Sequence, residues 1–268
     1  MALAHRDGTA VAKAASEALL VPKDRILHRR DQTAGELRAL FAPDGEVAAA
    51  LRGRTQARML LYVSGRGVRE AGKPYILAGD VDVKSADDIR RRGYSLETLL
   101  DDLTRVLPEA TEALVLLEAS FEDHGATGAD AGTTRRAPSE VTLVLPSARP
   151  RIAVMLAAAA DESAASDMTA GRELGLFTDT VIDGLYGLAA PGRPQVTIAE
   201  LERFVTRRMS ERLPALFPGS SRTQRPVVIS DNRAMVIARF DGPAPVRDAA
   251  GSALETRECQ LLSSESDL

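Results

Sequence analysis

Two short apolar segments, each followed by small and polar residues, constrain the fold of this chain most strongly. Residues 59–63 are five consecutive apolar residues followed by Ser-Gly-Arg-Gly, and residues 113–117 are a second apolar run followed by Glu-Ala-Ser. Continuous apolar runs of this length indicate strands that are buried on both faces. Helical patterns surround both runs, so we expect an α/β fold with a mostly parallel sheet and helices on both faces.

The residues that follow these two runs are the first candidates for a site. Arg66 and Ser120 each come just after a predicted buried strand. In open sheets of this kind, ligands bind beyond the carboxyl ends of the strands. We therefore expect Arg66 and Ser120 to converge at one edge of the sheet.

The remaining elements follow from apolar periodicity, capping residues and turn residues. Ser95 is a predicted N-cap, and Thr197 with Glu200 forms a predicted capping box. Further helices are predicted over residues 3–20, 33–51, 95–107, 174–188 and 197–213. Further strands are predicted over 25–27, 74–78, 141–145 and 151–156, and a hairpin over 227–230 and 234–239.

We expect one domain over residues 1–240 and a disordered tail over residues 241–268. The tail is rich in Pro, Ala and Ser, which disfavours a packed core. Residues 122–139 contain almost no large apolar side chain and are predicted to form a surface loop.

Composition and charge exclude several classes of function. The net charge is −4, so no basic field favours nucleic acid or an acidic membrane surface as a partner. Cys259 is the only cysteine, which rules out an intrachain disulfide and favours a reducing compartment. The longest apolar stretch, residues 152–160, is far shorter than the ~20 residues that span a bilayer. We expect a soluble, cytoplasmic protein.

The two strands resemble the catalytic strands of caspase-like and metacaspase-like cysteine peptidases. Residues 59–67 are similar to the family's apolar strand followed by Ser-Gly-His-Gly, with Arg66 at the histidine position. Residues 113–120 are similar to its strand ending in Asp-Ala-Cys, with Ser120 at the cysteine position. Arg66 precedes Ser120 by 54 positions, and the caspase histidine precedes its cysteine by about 50.

The resemblance extends over roughly residues 4–240 and implies a caspase-like three-layer sandwich. Further landmarks in the family's order are residues 4–11, 72–82, 93–100, 175–185, 196–201 and 224–226. The family's first strand, an apolar run before the first helix, is missing. Either the start is truncated or this member folds without that strand.

Both changed positions predict the loss of peptidase chemistry. An arginine neither accepts nor donates a proton at neutral pH, and a serine depends wholly on an adjacent base. We therefore expect a pseudoprotease that acts in signalling as a binding, scaffolding or regulatory module. Two alternatives stay open: an active enzyme using Ser120, with His124 as a relocated base, and an active peptidase whose dyad was mutated.

Glu118 has two interpretations. The resemblance to metacaspases implies that it lines a pocket for Arg or Lys side chains, and a guanidinium would pair well with it. The favoured interpretation is an internal ion pair with Arg66, because a buried carboxylate needs a partner.

The sequence offers no cofactor motif and no metal site. Asp80 and Asp82 are two carboxylates after a strand and are more typical of a turn than of a calcium site. The expected partner is a protein, either an active caspase-like relative or a second copy paired through an edge strand.

Overall fold

The computed structural model describes residues 2–54, 57–122, 144–159, 162–168, 173–240, 246–247 and 253–254. The predicted loop from residue 123 onward, most of the predicted strand 141–145 and nearly all of the predicted tail lie outside the described residues.

Helices and strands alternate along most of the chain, as the sequence predicts. The helices are α1 (Ala2–Glu17), α2 (Ala34–Leu40), α3 (Glu46–Leu51), α4 (Ala86–Arg92), α5 (Leu96–Val106), α6 (Leu176–Asp183) and α7 (Ile198–Leu216). The strands are β1 (Ala57–Ser64), β2 (Gly67–Glu70), β3 (Lys73–Ile76), β4 (Tyr94–Ser95), β5 (Thr111–Glu118), β6 (Ile152–Leu156), β7 (Ser166–Asp167), β8 (Leu174–Gly175), β9 (Gln195–Thr197), β10 (Val227–Ile229), β11 (Val236–Arg239), β12 (Val246–Arg247) and β13 (Ala253–Leu254).

The central sheet has the order β1-β5-β6-β10. β1, β5 and β6 are parallel, and β10 is antiparallel to β6. Every residue of β6 is buried, as are all residues of β5 but one. This confirms the mostly parallel sheet, and the two apolar runs that predicted it are the cores of β1 and β5.

Helices cover both faces of this sheet, because alternate strand residues point to opposite faces. Leu114, Leu116 and Met155 pack against α6 and α7 in one apolar cluster. Val115 and Leu117 pack against α3 and α5 in a second cluster. The result is the predicted three-layer sandwich, with helix, sheet and helix in succession.

A smaller antiparallel sheet lies directly after β1 and has the order β2-β3-β4. Ala71 and Gly72, which join β2 to β3, both have positive φ, at 51° and 80°. Two such residues form the tight turn whose twist suits a hairpin. The strand predicted over 74–78 therefore belongs to this small sheet.

Two predicted elements differ in the structure for local reasons. The helix predicted over 33–51 is broken into α2 and α3. Pro43 cannot continue a helix, and a Cβ on Gly45 would lie 2.2 Å from the Ala39 carbonyl oxygen. The strand predicted over 25–27 is replaced by a 3₁₀ turn, Lys23–Arg25, and residues 26–30 carry no regular secondary structure.

The predicted hairpin over 227–239 is wrong because its two strands pair elsewhere. β10 joins the edge of the central sheet beside β6. β11 pairs antiparallel with β9, where Val196 lies opposite Ala238. A short apolar run predicts a buried strand but does not predict which strand it pairs with. Here β10 and β11 pair at the edges of two separate sheets.

The predicted caps are confirmed. The Ser95 side chain accepts the Thr98 N–H at the start of α5. Thr197 and Glu200 form a reciprocal capping box at the start of α7. No helix in the described part of the chain is both long enough and apolar enough to cross a membrane.

Replacing Met155 with alanine tests the central core. Met155 is 0% exposed in β6, so Met155→Ala should lower the free energy of unfolding by about 2–5 kcal/mol through a new cavity. The matched control is Met168→Ala, because Met168 is 62% exposed and its loss should change stability by less than about 0.5 kcal/mol. Urea denaturation followed by circular dichroism measures both, and equal effects would contradict the assigned core.

Candidate functional site

Arg66 and Ser120 lie side by side at the carboxyl edge of the central sheet. β1 and β5 are parallel neighbours whose register pairs Ser64 with Glu118. Arg66 and Ser120 each come two residues after that pair. The Gly65 N–H donates to the Glu118 carbonyl over 3.2 Å and extends the pairing beyond the last strand residues. Both residues therefore follow neighbouring strand ends, where the sequence predicts that they converge.

Glycine allows the two segments after the strands to approach closely. A Cβ on Gly67 would lie 2.7 Å from the Ser120 carbonyl oxygen and 2.7 Å from a ring carbon of Phe121. Any larger residue at position 67 would push β2 away from the end of β5. The close contact holds Ser120 in place relative to Arg66.

The Ser120 hydroxyl is half-buried and already engaged. Its oxygen accepts the Ala164 N–H over 2.7 Å. Within the described ranges, no histidine or carboxylate forms a hydrogen bond with this hydroxyl. His5 instead bonds Asp31 on the outside of α1, and His124 lies outside the described residues.

The Arg66 side chain is exposed at the rim of this edge. Its backbone carbonyl accepts the Leu77 N–H over 2.9 Å and ties the segment after β1 to the segment after β3. Its guanidinium forms no ion pair with a residue that the structure describes. The site therefore presents an exposed cation where the resemblance places a base.

The predicted ion pair between Glu118 and Arg66 is wrong. The Glu118 carboxyl instead accepts the Thr178 N–H over 2.9 Å and the Thr178 hydroxyl over 2.8 Å. Glu118 points to the face of the sheet that α6 covers, and the first turn of α6 supplies the free N–H. Arg66 lies in the loop beyond the strand and does not reach beneath that helix.

A second buried carboxyl, Asp7, lies next to Glu118. Asp7 Oδ1 accepts the Gly175 N–H over 2.9 Å, and the Ser64 hydroxyl donates to Asp7 Oδ2 over 3.3 Å. A Cβ on Gly175 would lie 2.5 Å from Glu118 Oε2 and 3.3 Å from Asp7 Oδ2. Only glycine fits between the two carboxyl groups.

Tyr62 completes this buried polar cluster from β1. Its hydroxyl lies 2.6 Å from the Thr178 hydroxyl. Because Thr178 donates its own proton to Glu118, the Tyr62 hydroxyl is the donor in this bond. A chain of hydrogen bonds thus runs from β1 through α6 to β5.

Burial sets the ionisation of these groups. Desolvation raises the pKa of Glu118 to about 8, against the opposing hydrogen bonds from Thr178. Desolvation also raises the pKa of Asp7, and the hydrogen bonds from Gly175 and Ser64 oppose it. At neutral pH Glu118 is therefore mostly protonated and carries little negative charge.

The two other carboxylates considered from the sequence, Asp80 and Asp82, accept hydrogen bonds from backbone N–H groups. Asp80 accepts the Ala34 N–H over 2.9 Å and pairs with Arg92. Asp82 accepts the Lys84 N–H over 2.9 Å, which is a local turn. Among the described residues no group of three potential metal ligands is present.

Sequence analysis did not assign roles to Asp7 and Thr178, although both lie in segments that carry the resemblance. Asp7 belongs to the run at residues 4–11, and Thr178 to the Gly-Leu-Phe-Thr run at residues 175–178. Their shared environment arises because α1 and α6 pack side by side over β1 and β5. A polar residue early in each helix was the only available signal.

The strand order, the two helical layers and the paired strand ends define an α/β sandwich of the caspase type. Caspase-1 from Spodoptera frugiperda is similar to this chain with a TM-score of 0.56 and 14% identity, over 88% of this chain and 81% of that one. The structure of pro-sf-caspase-1 matches with a TM-score of 0.51 and 14% identity, over 86% and 83% of the two chains. No protein-family model and no curated protein matches the sequence. The chain therefore has a caspase-like fold.

The raised pKa of Glu118 predicts a pH-dependent stability. The pKa of Glu118 is about 8 in the folded state, whereas the ordinary pKa of a glutamate is 4.5. The free energy of unfolding should therefore fall as pH rises from about 5 to about 8, by on the order of 1 kcal/mol per pH unit. Asp7, whose pKa is also raised, contributes in the same direction.

Glu118→Gln should flatten this dependence, because its amide oxygen can accept both Thr178 hydrogen bonds without titrating. Urea denaturation at half-unit pH steps measures the slope for both proteins. Glu97→Gln is the matched control, since Glu97 is an exposed residue of α5. Identical slopes for wild type and Glu118→Gln would show that Glu118 ionises normally.

Proposed function

We propose that this chain is a catalytically inactive caspase-like domain that acts as a binding, scaffolding or regulatory module. One observation carries the proposal. The carboxyl ends of the neighbouring parallel strands β1 and β5 hold Arg66 and Ser120, at the positions that the family resemblance assigns to histidine and cysteine.

Arg66 is unsuited to every proton transfer of a cysteine peptidase. The base must take a proton from the nucleophile and return it to the leaving amine. A guanidinium stays protonated at physiological pH. Among the residues that the structure describes, none that could act as a base bonds the Ser120 hydroxyl, which accepts the Ala164 N–H.

Ser120 as a nucleophile is the competing function. A serine hydroxyl needs a base within hydrogen-bond reach, and the hydroxyl accepts the Ala164 N–H. The Glu118 carboxyl bonds Thr178 and forms no hydrogen bond with Ser120 among the described residues. An active enzyme would thus depend on His124 or on a restored dyad, and both are tested below.

The competing function, an active peptidase, also includes a second hypothesis, that Glu118 binds the Arg or Lys side chain of a substrate. Glu118 is 7% exposed and lies beneath the first turn of α6. A guanidinium would have to displace the Thr178 hydrogen bonds and ionise a carboxyl whose pKa is about 8. This cost favours a structural role for Glu118.

A non-catalytic domain acts through binding, and the proposed partner is another protein in a cytoplasmic signalling setting. That partner is an active caspase-like relative or a second copy of this chain that pairs through an edge strand. β1 and β10 are the two outer strands of the central sheet. Unpaired backbone groups at such edges are ready templates for another strand.

Reversion of the two changed positions tests the loss of activity. The wild-type protein should not cleave fluorogenic Arg-, Lys- or Asp-terminated substrates, with or without calcium. Arg66→His combined with Ser120→Cys should raise cleavage at least about a hundredfold above background, because it restores the base and the nucleophile. Initial rates at matched protein concentration are the measurement.

Three further variants make the result specific. Arg66→His combined with Ser120→Ala is the matched control and should remain inactive. Wild-type cleavage that disappears in Ser120→Ala would overturn the proposal and identify a serine-dependent peptidase. If His124→Ala also removed that activity, the relocated base would be established.

A further inference from the structure

Residues 162–165, which we call the strap, lie beside Ser120 at the carboxyl edge of the central sheet. The Ala164 N–H donates to the Ser120 hydroxyl oxygen over 2.7 Å. One residue earlier, the Ser163 hydroxyl donates to Glu122 Oε1 over 3.2 Å. The strap therefore contacts both the residue at the nucleophile position and the segment that continues from it.

Arg222 bonds two consecutive carbonyl groups of the strap. Its Nη2 atom donates to the carbonyl oxygens of Ser163 and Ala164, each over 3.0 Å. Its guanidinium carbon lies 4.8 Å from the centre of the Phe217 ring, which further restricts the side chain. The Ser163 carbonyl and the Ala164 N–H belong to one planar peptide group. Arg222 therefore also fixes the direction of the N–H that meets Ser120.

Gln224 fixes the end of the strap to the central sheet. Its side-chain oxygen accepts the Ala165 N–H over 2.8 Å, and its amide nitrogen donates to the Ala157 carbonyl over 2.9 Å. Ala157 directly follows β6. The Ala165 carbonyl accepts the Leu176 N–H over 2.9 Å, so both backbone groups of Ala165 have partners.

Glu162 fixes the start of the strap. Its carboxylate accepts the backbone N–H groups of Arg225 and Ala159. The Arg225 Nε atom lies 2.9 Å from Glu162 Oε1 and completes an ion pair. Charge-assisted hydrogen bonds of this kind are stronger than those between neutral groups. The strap is therefore anchored at both of its ends.

The anchors of the strap differ in their exposure to solvent. Ala165 and Gln224 are each 3% exposed. Ser163 is exposed and Arg222 is half-buried. Hydrogen bonds at the surface open at a lower free-energy cost than those in the interior. The part of the strap that meets Ser120 can therefore open while Ala165 stays in place.

We propose that the strap regulates access to the candidate site. In its closed position it covers one side of the Ser120 hydroxyl, and release of Arg222 from the two carbonyl groups exposes that hydroxyl to a ligand. An incoming group has to displace the Ala164 N–H before it can bond Ser120 from that side. The inference rests on the proposed binding role, because that role makes this edge the surface that a partner reaches.

A single thiol at position 120 measures this access. Cys259 is the only cysteine of the chain, so Ser120→Cys combined with Cys259→Ser leaves one thiol, beside the strap. Iodoacetamide alkylation of the full chain, followed by intact mass, gives its rate. That rate should be at least about tenfold slower than in the same protein unfolded in urea, because the closed strap limits access.

Adding Arg222→Ala to this protein should raise the alkylation rate at least about tenfold, because the exposed anchor is lost. Arg222→Lys should give an intermediate rate, since an ammonium lacks the planar fork of a guanidinium. Arg38→Ala is the matched control and should leave the rate unchanged. Arg38 Nη2 likewise donates to two backbone carbonyl groups, those of Arg91 and Gly93, in another part of the fold.

Two further measurements separate opening of the strap from other effects. Alkylation from about pH 6 to about pH 9 gives both the pKa of the thiol and the limiting rate of its thiolate, and the limiting rate reports access alone. Amide hydrogen exchange without the cysteine changes should be faster at Ala164 in Arg222→Ala than in wild type. Exchange at Ala165 should stay slow, because Gln224 still holds it.

Three outcomes would overturn the proposal. Alkylation of the folded protein as fast as in urea would show that the strap does not cover position 120. Equal acceleration by Arg222→Ala and Arg38→Ala would indicate general loosening of the fold. Faster exchange at Ala164 without faster alkylation would show that the strap opens but does not control access. Alkylation does not depend on peptide cleavage, so a failure here leaves the test of the inactive dyad unaffected.

Discussion

The parallel pairing of β1 with β5 determines where every candidate functional side chain lies. Its register places Ser64 beside Glu118 and so brings Arg66 and Ser120 together beyond the strand ends. The same pairing directs Tyr62 and Glu118 toward the helical layer that contains α1 and α6. A shift of one residue would move each side chain to the opposite face, so the buried apolar residues of β5 fix the geometry of the site.

A buried polar cluster lies beneath that edge of the sheet, and its hydrogen bonds connect the helices to the strands. Glu118 and Asp7 are desolvated, and each accepts a backbone N–H from the segment that starts α6. Their raised pKa values follow from burial that outweighs the hydrogen bonds. A protonated carboxyl avoids most of the cost of a buried charge. The cluster thus joins α1, α6 and the two central strands without an ion pair to the rim.

The proposed function combines the loss of peptidase chemistry with a role in binding. Arg66 puts a permanent positive charge at the edge where the two strands end. Under this proposal the caspase-like fold keeps its central sheet and acts through binding.

The sequence by itself determined the buried strands, the helix caps and the convergence of Arg66 with Ser120, because these depend on local periodicity and on the rule for parallel strand ends. Its resemblance to caspase-like peptidases agreed with the fold. Tertiary structure alone decided that Glu118 bonds Thr178 rather than Arg66, since that choice depends on how α6 packs over β5. It also decided that β10 joins β6. The strand that a short strand pairs with, and the group that a buried carboxyl bonds, belong to segments distant in sequence. Local sequence patterns therefore do not predict them.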